Sequence, residues 1–131
     1  MHKRFLVIAS LFGALAVALG AFGAHSLKKI IQPGDLSTFQ TAVQYQMYHA
    51  FAIMTTGILY EKFRNRWIHG AGVCFIVGII LFSGSLYVLT LLKANEAVRS
   101  YGLGLITPFG GLFFIMGWIF LFIGIARPSS S

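Results

Sequence analysis

The residue in this chain with the widest chemical scope is His49. It lies in the stretch from Thr38 to Tyr60, TFQTAVQYQMYHAFAIMTTGILY, which is long enough to cross a bilayer yet carries Thr41, Gln44, Tyr45, Gln46, Tyr48 and His49 in its first half. An ionisable group in a membrane span is expensive to bury, so it is a functional candidate by default, as a proton relay, a ligand or a solute contact. A neutral imidazole costs less, and one or two hydrogen bonds from Tyr, Ser or Gln satisfy it. At this level a structural knot and a binding site both remain open.

The neighbours of His49 follow from spacing. Thr41, Tyr45 and His49 recur at i, i+4 and i+8 and share one helix face, while Gln44 and Tyr48 lie about 100° round the axis. Antiparallel packing of the next apolar stretch is expected to bring Ser83 level with His49 to within a turn, with Ser85 nearby. Thr107, beside Pro108, stands at the entry of the last apolar stretch. The candidate ligand-binding set is therefore His49, Gln44, Tyr45, Tyr48, Ser83, Ser85 and Thr107.

Several chemistries find no support. Ser83-Gly84-Ser85 lacks the glycine two places before either serine that a nucleophile elbow requires. Asp35, Glu61 and Glu96 all fall in expected loops, so no span supplies a carboxylate to orient His49. His25 and His49 are separated by about 15 Å along the bundle axis, too far for two metal bonds of about 2 Å. Cys74 is the single cysteine, and no CxxCH is present. Neither a metal nor a cofactor is expected, and the chain reads as a non-enzyme.

The elements that must position these residues are membrane helices. Of the 131 residues, 57% are hydrophobic and 10% charged, against about 25% charged in a soluble domain. The charges gather in short clusters between long uncharged runs, the pattern of an integral membrane protein. One membrane domain over 1–131 is expected, with spans at about 5–24, 38–60, 67–92 and 103–125. The basic head and first apolar run also resemble a secretory signal, but the run exceeds the usual 7–15 residues of one. A retained first helix fits better. The net charge of +7 comes from Lys and Arg at helix ends, where they snorkel to lipid phosphates. No contiguous basic face suits nucleic acid.

Small residues are expected to let the helices approach closely, since lipid offers no hydrophobic force between them. On the first helix these are Gly13, Gly20 and Ala24, in register with Ala9 and Ala16. Gly70, Cys74 and Gly78 form a second row, and Gly110, Gly117 and Gly124 a third at i+7. Pro33-Gly34 reads as a turn, with Asp35 or Ser37 capping the second helix, and Leu27 to Ile31 as a half-turn in the interface. Pro108 suggests a helix beginning at Thr107 after an irregular entry. Trp67 reads as an interfacial anchor. Six Lys and Arg residues (Lys3, Arg4, Lys62, Arg64, Arg66, Arg127) lie at the head, second loop and tail, against four (Lys28, Lys29, Lys93, Arg99) in the other loops. That bias places both termini in the cytoplasm.

Four blocks together, GALAVALGAFGAHSLKK, FQTAVQYQMYHA, LFSGSLYVLT and ITPFGGLFFIMGW, resemble domain-of-unknown-function family 423, small four-helix membrane proteins related to eukaryotic transmembrane protein 256. The resemblance runs from about Phe5 to about Ala126, and the short head and compact loops look like those of a bacterial member. It implies an integral membrane protein and no particular chemistry.

The expected architecture is all-α, a four-helix membrane bundle running up-down-up-down with a polar cluster around His49, multi-pass in the plasma membrane. The expected role is that of an accessory or scaffold protein acting through partners or lipid, with a homo-oligomer or another membrane protein as possible partner. The alternative is an oligomeric carrier or channel for a small solute or proton. A closed hydrogen-bonded knot at His49 favours the first, and a continuous polar path past it the second.

Overall fold

The computed structural model describes residues 1–94 and 103–128, excluding the side chains of 93, 94 and 103. Helix α1 (Lys3–His25) is capped by His2, whose ring Nδ1 accepts the Phe5 N–H at 3.3 Å. A 3₁₀ turn, Leu27–Lys29, follows, with Leu27 fully buried and Ile30 exposed. Helix α2 (Pro33–Leu59) starts five residues before the expected span. Pro33 is its first helical residue rather than part of a turn, because a fixed φ and a missing N–H suit that position. Gln32 is the N-cap, and Asp35 lies in the first turn.

The third rod is made of α3 (Arg66–Gly78), a π-turn (Ile79–Ser83) and α4 (Gly84–Ala94). Asn65 caps it, accepting the Trp67 and Ile68 N–H groups at 2.9 and 3.1 Å, while its Nδ2 donates to the Gly124 carbonyl at 3.0 Å. One side chain thus starts one helix and fastens the end of another. Helix α5 (Leu103–Ala126) is helical through Pro108, so the expected start at Thr107 is four residues late. Pro108 removes only a first-turns hydrogen bond and faces the i−4 carbonyl of Gly104, a residue without Cβ. The expected loop 93–102 lies outside the described residues beyond position 94.

The four helices form an antiparallel up-down-up-down membrane bundle. Lys3–Lys29, Arg66–Leu92 and Gly104–Ala126 are each long and apolar enough to cross a bilayer. At 27 residues α2 extends about 40 Å and buries Gln46, His49 and Thr56 inside the bundle. Large apolar side chains point outward all round the bundle, with Leu105 and Phe122 each 72% exposed. Lipid is the solvent that tolerates such a surface.

Direction is set by contacts at both ends. The His2 N–H donates to the Gly57 carbonyl at 3.0 Å, and Gly23 faces the Phe39 ring at the other end of the α1/α2 pair. Between α5 and the third rod, Gly110, Gly117 and Gly124 face Phe82, Phe75 and Ile68. Both series advance by seven residues, the period at which two helices stay face to face. A Cβ at Gly117 would stand 2.6 Å from the Phe75 ring, and one at Gly124 2.5 Å from Ile68 Cδ1. The exchange is reciprocal, since Gly78 faces Phe114 and Gly70 faces Phe120.

On α1 the close seam differs from the expected one. Gly13 has nothing within 4 Å of where a Cβ would stand, Gly20 makes an ordinary 3.4 Å contact with Val43, and Ala24 is exposed. Ala9 and Ala16 of the expected row are buried, and Gly23, seven residues beyond Ala16, joins them in place of Gly13, Gly20 and Ala24. Successive four-residue steps rotate about 40° round an α-helix and leave the interface, whereas seven-residue steps nearly return to it.

Candidate functional site: a closed polar centre on the second helix

The buried stripe of α2 is Phe39, Ala42, Gln46, His49, Ile53 and Thr56. Its alternating steps of three and four residues are those of a helix whose one face meets its partners along its length. His49 and Gln46 are therefore core positions by geometry, and each is satisfied differently.

His49 is 5% exposed. Its Nδ1 lies 2.8 Å from the Tyr45 carbonyl one turn back, and the Trp118 indole N–H donates to its Nε2 at 3.1 Å. A carbonyl only accepts and an indole N–H only donates, so the network assigns the proton to Nδ1 and makes the ring neutral. The Phe114 ring stacks on the imidazole at 3.6 Å and 7°, and Phe75 and Trp118 stand at 5.6 and 6.0 Å. Neither ring nitrogen is left for a metal or a solute. A second proton on Nε2 would set one N–H against another.

Gln46, 3% exposed, joins three helices. Its Nε2 donates to the Phe12 carbonyl of α1 at 2.8 Å, and its Oε1 accepts the Tyr87 hydroxyl of α4 at 2.6 Å. Phe75, Ile79, Ser83 and Tyr87 all turn inward although four-residue steps drift on an α-helix. The π-turn, with its wider i→i+5 closure, absorbs that drift.

The structure distributes the expected ligand set rather than gathering it. Ser83 is fully buried and donates to the Ala42 carbonyl at 2.7 Å. Ala42 is two turns, about 10 Å, from His49 along α2, so the expected alignment of Ser83 with His49 is displaced by that amount. Phe75 occupies the level of His49 instead. The register follows the short Tyr60–Asn65 connection and the Phe5 ring packed against Gly72. Ser85 lies 2.6 Å from the Thr107 hydroxyl and donates to the Phe82 carbonyl at 2.9 Å, a separate tie between α4 and α5. Gln44 and Tyr48 are exposed on the outer side of α2. Tyr45 stacks on Phe82 at 4.8 Å, and it is its backbone carbonyl, not its hydroxyl, that holds His49.

Gln46, Tyr87 and Trp118 complete the polar centre but were not in the expected set. The three-four stripe on α2 carries the signal for Gln46, and a tryptophan deep in an apolar helix, whose N–H seeks an acceptor, carries it for Trp118. Among the described residues, no three His, Cys, Asp or Glu side chains come together as a metal site would need.

Comparison with known proteins fixes the family. The profile of the family described as "Protein of unknown function (DUF423)" matches residues 19–111. The UPF0382 membrane protein SAB0533 of Staphylococcus aureus (strain bovine RF122 / ET3-1) is 41% identical over 121 residues, 92% of this chain and 93% of its own. The UPF0382 membrane protein YwdK of Bacillus subtilis (strain 168) is 38% identical over 126 residues, 95% and 98% of the two chains. The UPF0382 inner membrane protein YgdD of Escherichia coli (strain K12) is 36% identical over 128 residues, 97% and 93%. No solved structure matches. The chain belongs to this DUF423 family of membrane proteins.

Proposed function

We propose that this DUF423 protein is a non-enzymatic accessory or scaffold protein of the plasma membrane, acting through a partner or through lipid. The observation that carries the reading is the saturation of His49, whose two ring nitrogens are engaged by Tyr45 and Trp118 inside an aromatic cage. A carrier built on His49 needs a free nitrogen facing a polar path. Here the neighbouring polar groups close on each other and on backbone carbonyls instead. Hydrolytic chemistry lacks its parts as well, because Ser83 and Ser85 are bonded elsewhere. Asp35 and Glu61 stand at the start of α2 and in the turn after it. The six cations at the head, second loop and tail support termini in the cytoplasm.

The test is proton and solute flux into proteoliposomes containing a trapped pH dye, comparing wild type with His49→Leu. Leak equal to that of protein-free vesicles in both supports the accessory reading. A flux present in wild type and lost in the variant overturns it in favour of the oligomeric carrier.

A further inference from the structure

A cavity of about 430 Å³ opens at the cytoplasmic-charge end of the bundle, between the start of α1 and α3. Its lining combines the cations Lys3 and Arg4, the imidazoles of His2 and His69, and the apolar or aromatic Phe5, Ile8 and Tyr60. Its electrostatics favour an anion. Arg64 lies 5.6 Å above the Tyr60 ring, and Lys62 and Arg66 flank the same turn. Among the described residues Glu61 is the carboxylate at this end, and it faces the Met1 amine at 4.0 Å. The first-turn N–H groups of α1 add positive potential. Burial, with the nearby His69 second, lowers the pKa of His2, and the permanently cationic side chains of the lining are Lys3 and Arg4.

The wall points to an amphiphile rather than a free anion. Along α1, Arg4, Ile8, Phe12, Leu15 and Leu19 follow one another at steps of three and four on a single stripe. Phe12, Leu15 and Leu19 line a second cavity of about 310 Å³ with Ile80 and Gly84 of the third rod and with Gln46 and Tyr87, whose polar ends are bonded to each other. Nothing lies within 4 Å of a Cβ position at Gly84, so the cleft between α1 and α4 is open there. From Ile8 to Leu19 is about 16 Å, close to one leaflet of a hydrocarbon core of about 30 Å. A mainly apolar cleft at that depth suits an acyl chain.

We infer that the crevice between α1 and the third rod binds one anionic phospholipid of the cytoplasmic leaflet. Its phosphate sits between Lys3 and Arg4, and an acyl chain runs past Ile8 to Leu19. This rests on the accessory reading and names lipid as what the protein acts through. The charge complementarity belongs to the headgroup and the apolar stripe to the chain, so neither half alone makes the site.

The experiment is native mass spectrometry of the full chain in neutral detergent. It is offered equal phosphatidylglycerol and phosphatidylcholine with identical chains. One phosphatidylglycerol is expected to be retained with a preference of roughly thirtyfold, from two cations near a headgroup. Lys3→Gln/Arg4→Gln is expected to abolish that preference, while Lys28→Gln/Lys29→Gln at the opposite end keeps it. Gly84→Leu, which fills open space, is expected to weaken retention of both lipids about tenfold. All these substitutions are at exposed or open positions, and unchanged helical circular dichroism confirms folding. Equal retention of the two lipids overturns the inference, as does preference surviving in Lys3→Gln/Arg4→Gln. Displacement of the lipid by equimolar glycerophosphoglycerol also overturns it, leaving a site for a free phosphate ester. Any of these results leaves the flux experiment, and with it the accessory reading, untouched. Flux through His49 overturns that reading whatever lipid is retained.

Discussion

The indole N–H of Trp118 on α5 donates to Nε2 of His49 on α2 at 3.1 Å, across the interior of the bundle. Those two residues lie on parallel helices separated in sequence by the whole third rod. Removing the donor alone leaves a buried acceptor unpaired. Trp118→Phe is expected to lower stability in detergent by about 1 kcal/mol, and His49→Leu by a similar amount. The double variant is expected to show a coupling of about 0.6 kcal/mol, typical of hydrogen bonds between membrane helices. A chemical-denaturation cycle of the four proteins measures it, and strictly additive effects would refute the bond.

Gln46 and Tyr87 permit a sharper form of the same test. Gln46→Leu orphans the Tyr87 hydroxyl, and Tyr87→Phe orphans Gln46 Oε1. Each single change is expected to destabilise by about 1–2 kcal/mol, whereas the pair together approaches neutrality apart from the bond to Phe12. Thermal melts of the three variants decide it.

Glycines at the same spacing are expected to respond with opposite sign. Gly13→Ala meets open space, so the better helix propensity of alanine is expected to stabilise by up to about 1 kcal/mol. Gly110→Ala drives its methyl into the Phe82 backbone and is expected to lose about 1–3 kcal/mol. Unfolding midpoints of the two variants against wild type provide the comparison.

Acid is expected to loosen the amino-terminal end. The His2 pKa is lowered by burial and by the neighbouring His69, so the unfolded chain binds a proton more readily than the folded one. The stabilisation is complete above the ordinary value of 6.5 and declines as pH falls through the lower folded value. His2→Asn keeps a side-chain cap for α1 without a titrating ring. The drop in unfolding midpoint between pH 7.5 and pH 5 is expected to shrink in this variant, and an unchanged drop would exclude His2 as a source.

By itself the sequence determined the helical membrane architecture, because twenty-residue uncharged runs bounded by cations have few other stable forms in contact with lipid. The seven-residue recurrence of Gly110, Gly117 and Gly124 was equally visible, as an interface must repeat with the helix. Family membership was legible in blocks that span the chain. The tertiary structure alone decided who meets whom. Ser83 pairs with Ala42 and not with the level of His49, because axial register depends on how Phe5 packs against Gly72 and on a short turn. Gln44 and Tyr48 point out while Gln46 points in, a difference of two positions that composition does not resolve. The π-turn, which keeps Ser83 and Tyr87 facing the interior, is a backbone response to packing from several sides at once. Trp118 reaches His49 only after all four helices are in place.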